Sequence, residues 1–253
     1  MVMEKKKLWL ALSALSASIG ASAAEQEPDR AGVASAVQPQ AEVESKASRV
    51  IFVGSDVFRN EVIRTDASGV THLLFLDKSS LTIGPDSVVT IDKYVYNPET
   101  DSGELVMTAT RGVLRFVGGS LSKEKPVTIQ TPLGTLGIRG GGMLARIEAN
   151  LVQAFLFYGD FLSGDSAISS AKKVVAKLER GLELHPDGSV KDAVLTQQFL
   201  DWILDRLSGP EGEQPPFAEL PLPGTYYDLK GLQVEQDKLD DIHEYKEQFM
   251  YLQ

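Results

Sequence analysis

The residues of this chain that could do chemistry are few and scattered. Three histidines, His72, His185 and His243, lie in three separate segments with no ligand-like spacing between them, so they do not compose a metal site. Asp77, Asp86 and Asp92 carry the charge a calcium ion needs, but no D-x-[DN]-x-[DN]-G loop frames them. Turns and caps account for aspartates in such company. Gly140-Gly141-Gly142 has the composition of a phosphate-cradling loop without its lysine. Met143–Glu148 then alternates like a strand, so no helix N-terminus faces the anion. Serines are plentiful, yet none stands in a nucleophile elbow. With no cysteine, thiol catalysis, thiolate metal sites and disulfides are excluded. Arg139, set among turn glycines, could clamp a ligand carboxylate; satisfying turn carbonyls with its planar donor fork is the preferred reading. The expectation is a chain with no catalytic residue, metal or cofactor.

The elements that would position these residues read mainly as strands. From Arg49 to about Val190, short apolar runs alternate with turn signals such as Gly54, Ser68-Gly69, Gly84-Pro85-Asp86, Asn97-Pro98 and Lys125-Pro126. That spacing leaves room for strands but not for helices of ordinary length. Val127-Thr128-Ile129-Gln130 alternates apolar and polar, Met143, Ala145 and Ile147 oppose Arg146 and Glu148, and Ala176, Leu178, Leu182 and Leu184 share a parity. Such alternation puts one face of a sheet on a core and the other in water. Leu73–Leu76 and Val152–Tyr158 are more continuously apolar and read as central strands. The sum is one domain over 49–190 with about ten to twelve short strands; a β-sandwich, a flattened barrel and an irregular β-solenoid all fit it.

The ends of the chain read differently. Lys5, Lys6 and Lys7, the apolar run Leu8–Ile19 and the small residues Ala21-Ser22-Ala23 make a secretory signal over 1–23, cleaved between Ala23 and Ala24. The twelve-residue apolar run is too short to span a membrane, which takes about twenty. Residues 24–48 have no aromatic residue and no sustained period, which reads as a flexible leader. Beyond Val190, Leu195, Phe199, Trp202, Ile203 and Leu207 recur at helical spacing between a cap at Asp192 and the stop Gly209-Pro210. The spacing predicts a helix over 191–209 that docks on the strands through Phe199 and Trp202. A proline-rich linker occupies 210–231. A second amphipathic helix over 232–253 then carries Leu239, Ile242, Phe249 and Leu252 on one stripe beside acidic residues, and that stripe is the candidate partner-binding element.

Charge narrows the partners. The whole chain carries a net charge of −10, and loss of the basic leader leaves the remainder more acidic still. A chain of that sign repels phosphate backbones and anionic lipid, so nucleic acid is not an expected partner. No apolar run in the mature chain is long enough for a membrane span.

One stretch is more patterned than generic strand. Gly54-Ser55-Asp56-Val57 and Ile63-Arg64-Thr65 lead into Asp77-Lys78-Ser79-Ser80-Leu81-Thr82-Ile83-Gly84-Pro85-Asp86-Ser87. Later come Thr131-Pro132 and Gly137-Ile138-Arg139-Gly140. Over about 50–165 this resembles the FecR domain, a periplasmic sensor and interaction module. Its motif residues here are Asp77, Ser79, Gly84, Ser87, Thr131, Pro132, Gly137, Arg139 and Gly140. Lys78 stands where the family usually has glycine, which implies a different turn at Asp77. Gly141 stands where the signature usually has threonine, which removes a hydroxyl from that turn. The resemblance implies a non-enzymatic module in the periplasm that binds another envelope or secreted protein, with a role in signalling. A structural or carbohydrate-binding envelope component, using Tyr94, Tyr96 and Tyr158 as a platform, is the alternative.

Overall fold

The computed structural model describes residues 30–38, 41–44 and 49–208. The signal segment with Ala23 and Ala24, the proline-rich stretch and the helix expected over 232–253 lie outside the described residues. In chain order the first strands are β1 (Arg30–Gln38), β2 (Ala41–Glu44), β3 (Arg49–Ile51), β4 (Asp56–Phe58), β5 (Val62–Thr65), β6 (Val70–Phe75), β7 (Ser80–Ile83) and β8 (Val88–Asn97). Next come β9 (Ser102–Val117), the short helix α1 (Ser120–Glu124), β10 (Val127–Thr131), β11 (Gly134–Arg139), β12 (Gly142–Ile147) and β13 (Val152–Tyr158). The chain continues through β14 (Phe161–Ser166), β15 (Lys172–Val175), β16 (Arg180–Leu184) and β17 (Val190–Val194), and α2 (Gln197–Ser208) closes the described part.

These strands form two layers over one core. The first layer runs β1-β6-β7-β9-β12-β13-β16-β17, with β4 also on β1. The second runs β3-β2-β5-β8-β9-β10-β11-β14-β15. β9 belongs to both: its first part pairs with β8 and β10, its last part with β7 and β12. After it the chain lays hairpins alternately, β12–β13 in the first layer, β14–β15 in the second, β16–β17 back in the first. The fold thus joins the sandwich and solenoid expectations, a sandwich wound hairpin by hairpin. Ile63, Ile91, Met107 and Ile129 from one layer meet Leu73, Leu81, Phe116 and Leu182 from the other in a continuous apolar interior. In β10, Val127 and Ile129 are buried while Gln130 is exposed, as period-2 alternation requires.

Four expectations need correction. The stretch expected as a flexible leader contains β1 and β2, with Ala31, Ala34 and Val43 fully buried, so residues from Arg30 onward belong to the β domain. The reason is close packing rather than bulk: Gly32 of β1 lies against the Leu74 backbone of β6 with no room for a β-carbon. Among the described residues there are seventeen strands in place of ten to twelve, because β1 and β2 precede the expected domain and several others span only three or four residues. Asp192 is not a helix cap but a member of β17, paired with Leu182; α2 begins at Gln197, where the Thr196 hydroxyl accepts the Phe199 amide hydrogen at 3.2 Å. Ala176 and Leu178 do not share the buried parity of Leu182 and Leu184, because a turn with Glu179 at φ 60° separates them from β16 and leaves both exposed.

Part of the outer face of the first layer, over β9, β12 and β13, is covered by α2. Ile203 and Leu207 pack on Val113 and Leu144, and Phe199 meets the Phe155 ring at 4.8 Å between centroids. Trp202 is only half-buried, held between the guanidiniums of Arg146 (5.0 Å) and Arg206 (4.8 Å). The helix docks as expected, but aliphatic residues make its buried core. No helix among the described residues is long and apolar enough to cross a membrane.

Candidate functional site

Four of the sequence motif residues, Asp77, Ser79, Arg139 and Gly140, converge on α1. Asp77 sits in the β6–β7 turn with no exposed surface. The Ser79 hydroxyl donates to its Oδ2 at 2.6 Å, the Leu121 amide donates to the same oxygen at 3.3 Å, and the Tyr94 hydroxyl donates to Oδ1 at 3.3 Å. The Asp77 amide in turn donates to Tyr94 Oη at 2.8 Å, and the Ser120 amide to the Asp77 carbonyl at 2.8 Å. α1 has no capping side chain of its own; Asp77, more than forty residues earlier, supplies the acceptor for one of its orphan N–H groups. Burial raises the Asp77 pKa, against the pull of its hydrogen bonds to Ser79, Leu121 and Tyr94. Burial, with Asp77 beside it, also pushes the Tyr94 phenol up. Lys78 takes φ 70°, the left-handed conformation that glycine adopts without cost, so the lysine keeps a turn of glycine's hand. The expectation of a different turn is corrected.

The second half of the motif grips α1 from the other side. The Gly140 amide donates to the Ser122 carbonyl at 2.8 Å, and the Gly118 amide to the Gly141 carbonyl at 2.8 Å. Arg139 Nε donates to the Lys123 carbonyl at 3.2 Å and lies 3.6 Å from Asp160 Oδ2. A β-carbon on Gly141 would stand 2.7 Å from Gly159 Cα, so the usual threonine would have no space here. At the far end of β7, the Thr65 hydroxyl donates to the Gly84 carbonyl at 2.7 Å and accepts the Ser87 amide at 3.0 Å. Thr131 donates to the Gly134 carbonyl at 2.7 Å across Pro132, closing the β10–β11 hairpin, and Gly137 pairs with Ser163 of β14. Asp77, Ser79, Arg139 and Gly140 are therefore brought together around α1, whereas Gly84, Ser87, Thr131, Pro132 and Gly137 serve other turns and strands.

This arrangement holds the fold and leaves little for chemistry. The Asp77 carboxylate and the Ser79 hydroxyl, which also accepts the Gly119 amide at 2.9 Å, are buried and occupied by internal partners. Neither reaches a substrate as base or nucleophile. Among the described residues no three His, Asp or Glu side chains group as a metal site; His72 and His185 stand apart. His72, bonded at Nδ1 to Ser35, is held down near 4 by burial and by the charge of Arg115. The tyrosine platform loses Tyr94, which is buried and stacked on Phe75 at 5.6 Å. Tyr96 donates to Asp101 at 2.6 Å. The candidate partner stripe Leu239, Ile242, Phe249 and Leu252 lies outside the described residues.

One surface feature escaped the sequence reading. Phe52 and Val53, 68% and 62% exposed, stand on the β3–β4 turn, which is braced on all sides. The Ser55 amide donates to the Phe52 carbonyl at 2.9 Å, the Phe52 amide to Ser55 Oγ at 3.0 Å, and the Gly54 amide to the Ala34 carbonyl of β1 at 2.8 Å. Two large apolar side chains on a rigid turn are what a binding surface presents. An apolar pair directly before Gly54-Ser55-Asp56 was the available signal, and it reads equally as the end of a strand.

Residues 61–160 match the family described as FecR protein. No curated protein matches the chain. Among solved structures, a crystal structure at 1.65 Å of a candidate anti-sigma factor from Parabacteroides distasonis ATCC 8503 is 14% identical, with a TM-score of 0.45 over 56% of this chain and 64% of that one. A second crystal structure of the same description, at 2.50 Å, is 12% identical, with a TM-score of 0.42 over 55% and 62%. This chain spans less than two thirds of the length of either, and a likeness that weak carries no argument about function.

Proposed function

We propose, from the premise that residues 61–160 are a FecR domain, that this protein is an exported, non-enzymatic interaction module that binds another envelope or secreted protein in the periplasm, in a signalling role. The observation that carries the reading is the inward turn of the motif: Asp77, Ser79 and Ser87 are all fully buried and spend their polar groups on turns and on α1. What the domain offers outward is the braced Phe52–Val53 turn; the stripe Leu239, Ile242, Phe249 and Leu252, read from the sequence alone, is the second candidate anchor. Apolar anchors held rigidly lose little entropy on binding, which favours protein recognition.

A photo-crosslinking residue at position 52, introduced in the native host, tests this. The expected result is one dominant adduct with an envelope protein, lost when Val53 is replaced by aspartate while thermal unfolding is unchanged. Adducts spread over many proteins, or unaffected by Val53→Asp, overturn the role of the turn. Mass spectrometry of the same preparation is expected to find the mature N-terminus at Ala24. A retained Met1 would place the protein in the cytoplasm and end the periplasmic reading.

A further inference from the structure

We infer that β15 is an open acceptor edge, to which an extended segment of another protein adds as a further strand, with a carboxylate opposite Lys172 and an apolar side chain opposite Val174. Among the described residues β15 pairs with β14 alone, and β3 ends the second layer on the opposite side. The Ser166 amide donates to the Ala171 carbonyl at 2.9 Å across the β14–β15 hairpin. In an antiparallel ladder, bonded pairs alternate with unbonded ones. Carried along the register, this alternation makes Gly164–Lys173 and Leu162–Val175 the bonded pairs. The N–H and C=O groups of Lys172 and Val174 therefore point away from β14, which is the row of donors and acceptors an incoming strand takes up.

The side chains along this edge define what it accepts. Ile168, Val174 and Leu178 are 72%, 57% and 48% exposed, one before β15, one within it and one after it. Between Ala171 and Arg180 four cations stand against a single carboxylate, Glu179, in a chain of net charge −10. Lys173 is turned to Asp192 of β17. Lys172 pairs with Asp165 at 3.2 Å but keeps most of its side chain in water, so it has donors left for a second carboxylate. Edge lysines also refuse a like neighbour. Two-fold pairing of β15 with the β15 of a second copy would set lysine, valine and alanine against one another with no carboxylate opposite. A strand that alternates acidic and apolar residues satisfies both the charge and the exposed Val174 through its cross-strand pairs. The other edges suit it less: β17 carries the exposed carboxylate of Asp192, and β3 runs at once into the Phe52–Val53 turn. This inference deepens the reading of a protein-binding module and rests on it for the class of partner, but it uses the opposite end of the second layer from Phe52 and Val53.

Titration of the isotopically labelled full mature chain with a blocked peptide, Ser-Glu-Thr-Ile-Thr-Glu-Thr-Ser, tests this through the amide resonances. Laid antiparallel on β15, the peptide sets its isoleucine opposite Val174 and its second glutamate opposite Lys172, with the first glutamate beside Lys177. The expected result is a saturable shift and slower hydrogen exchange at the Lys172 and Val174 amides, with those of Lys173 and Val175 moving less. Replacing both glutamates by glutamine should weaken binding about fivefold or more. Val174→Pro removes an outward N–H without breaking a bond to β14, so it should abolish the shifts and leave thermal unfolding unchanged. Where that variant does not fold, the joint change Lys172→Gln and Lys177→Gln should weaken binding as the glutamine peptide does. No shift along β15 at the solubility limit of the peptide, or shifts gathered on β3 or β17, overturns the acceptor edge. Equal affinity for the glutamate and glutamine peptides overturns the charge selection, and β15 shifts that arise on concentrating the chain without peptide assign the edge to a second copy and overturn the acidic partner. Crosslinking from position 52 in the Val174→Pro variant separates this inference from the reading it rests on: adducts that persist there leave the interaction module standing when the edge fails.

Discussion

The hydroxyl of Ser87 occupies the space that a side chain on Gly112 would need, and it accepts the Val113 amide hydrogen at 3.1 Å. Gly112, at φ 125°, lies in β9 where the strand passes from one layer to the other. The pair therefore fixes the crossing: a residue with no side chain on one strand, and a hydroxyl that fills the gap on the neighbouring loop.

Gly112→Ala should accordingly cost more than a surface substitution, about 2–4 kcal/mol, from strain at positive φ together with the clash. Ser87→Ala leaves the Val113 N–H buried without its acceptor and should cost about 1–3 kcal/mol. Urea unfolding of both variants measures this. A Gly112→Ala midpoint equal to wild type would mean that the crossing can relax.

Asp77 is expected to behave as the centre of a unit. Asp77→Ala strips acceptors from Ser79, Tyr94 and Leu121 at once and should cost about 3 kcal/mol or more, whereas Tyr94→Phe should cost about 1–2 kcal/mol. In the double variant the losses should fall short of their sum by at least about 0.5 kcal/mol. Strict additivity in a chemical-denaturation cycle would show that the two side chains act independently.

His72 predicts a specific pH response. Its folded pKa, about 4, lies below the ordinary 6.5, so below that pH the unfolded chain binds a proton that the folded chain refuses. Stability from this group is whole at pH 7, falls as pH drops from about 6.5 to about 4, and then levels, by up to about 3 kcal/mol. Asp77, whose folded pKa is raised, contributes with the opposite sign in the acid range. Denaturation midpoints of wild type and His72→Gln between pH 7.5 and 5 separate the groups; the slope in this window should flatten in the variant, and an unchanged slope would remove His72 from the account.

The docking of α2 rests on Ile203 more than on Trp202. Ile203 has no exposed surface, and Ile203→Ala should cost about 2–4 kcal/mol. Trp202→Ala should cost less, because its ring is half-buried and held largely by Arg146 and Arg206. Thermal unfolding of the two variants, compared in one buffer, gives the order directly.

What could be read beforehand followed the size of the apolar signal. Val127–Gln130 and Val152–Tyr158 announced their strands through large aliphatic and aromatic residues, and α2 announced its stripe through Phe199, Ile203 and Leu207. β1 gave no such signal, since Gly32, Ala34, Ser35 and Ala36 are chosen for how closely β6 approaches and not for how much surface they bury. Asp192 looked like a cap because a good N-cap residue beside a helical period is locally indistinguishable from a polar residue on an edge strand; only pairing with Leu182 decides it. The motif residues were visible as a set, but their meeting around α1 was not. The contact between Asp77 and Leu121 depends on the return path of β8 and β9, which no local pattern encodes.

Because β9 serves as a member of both layers, the sandwich has no seam. Neither layer can be lifted away without taking the middle strand of the other, so partial opening along the interlayer plane is closed to this molecule. Its described β strands should instead melt together as one cooperative body, and any fraying has to begin where the winding stops, at the outermost hairpins.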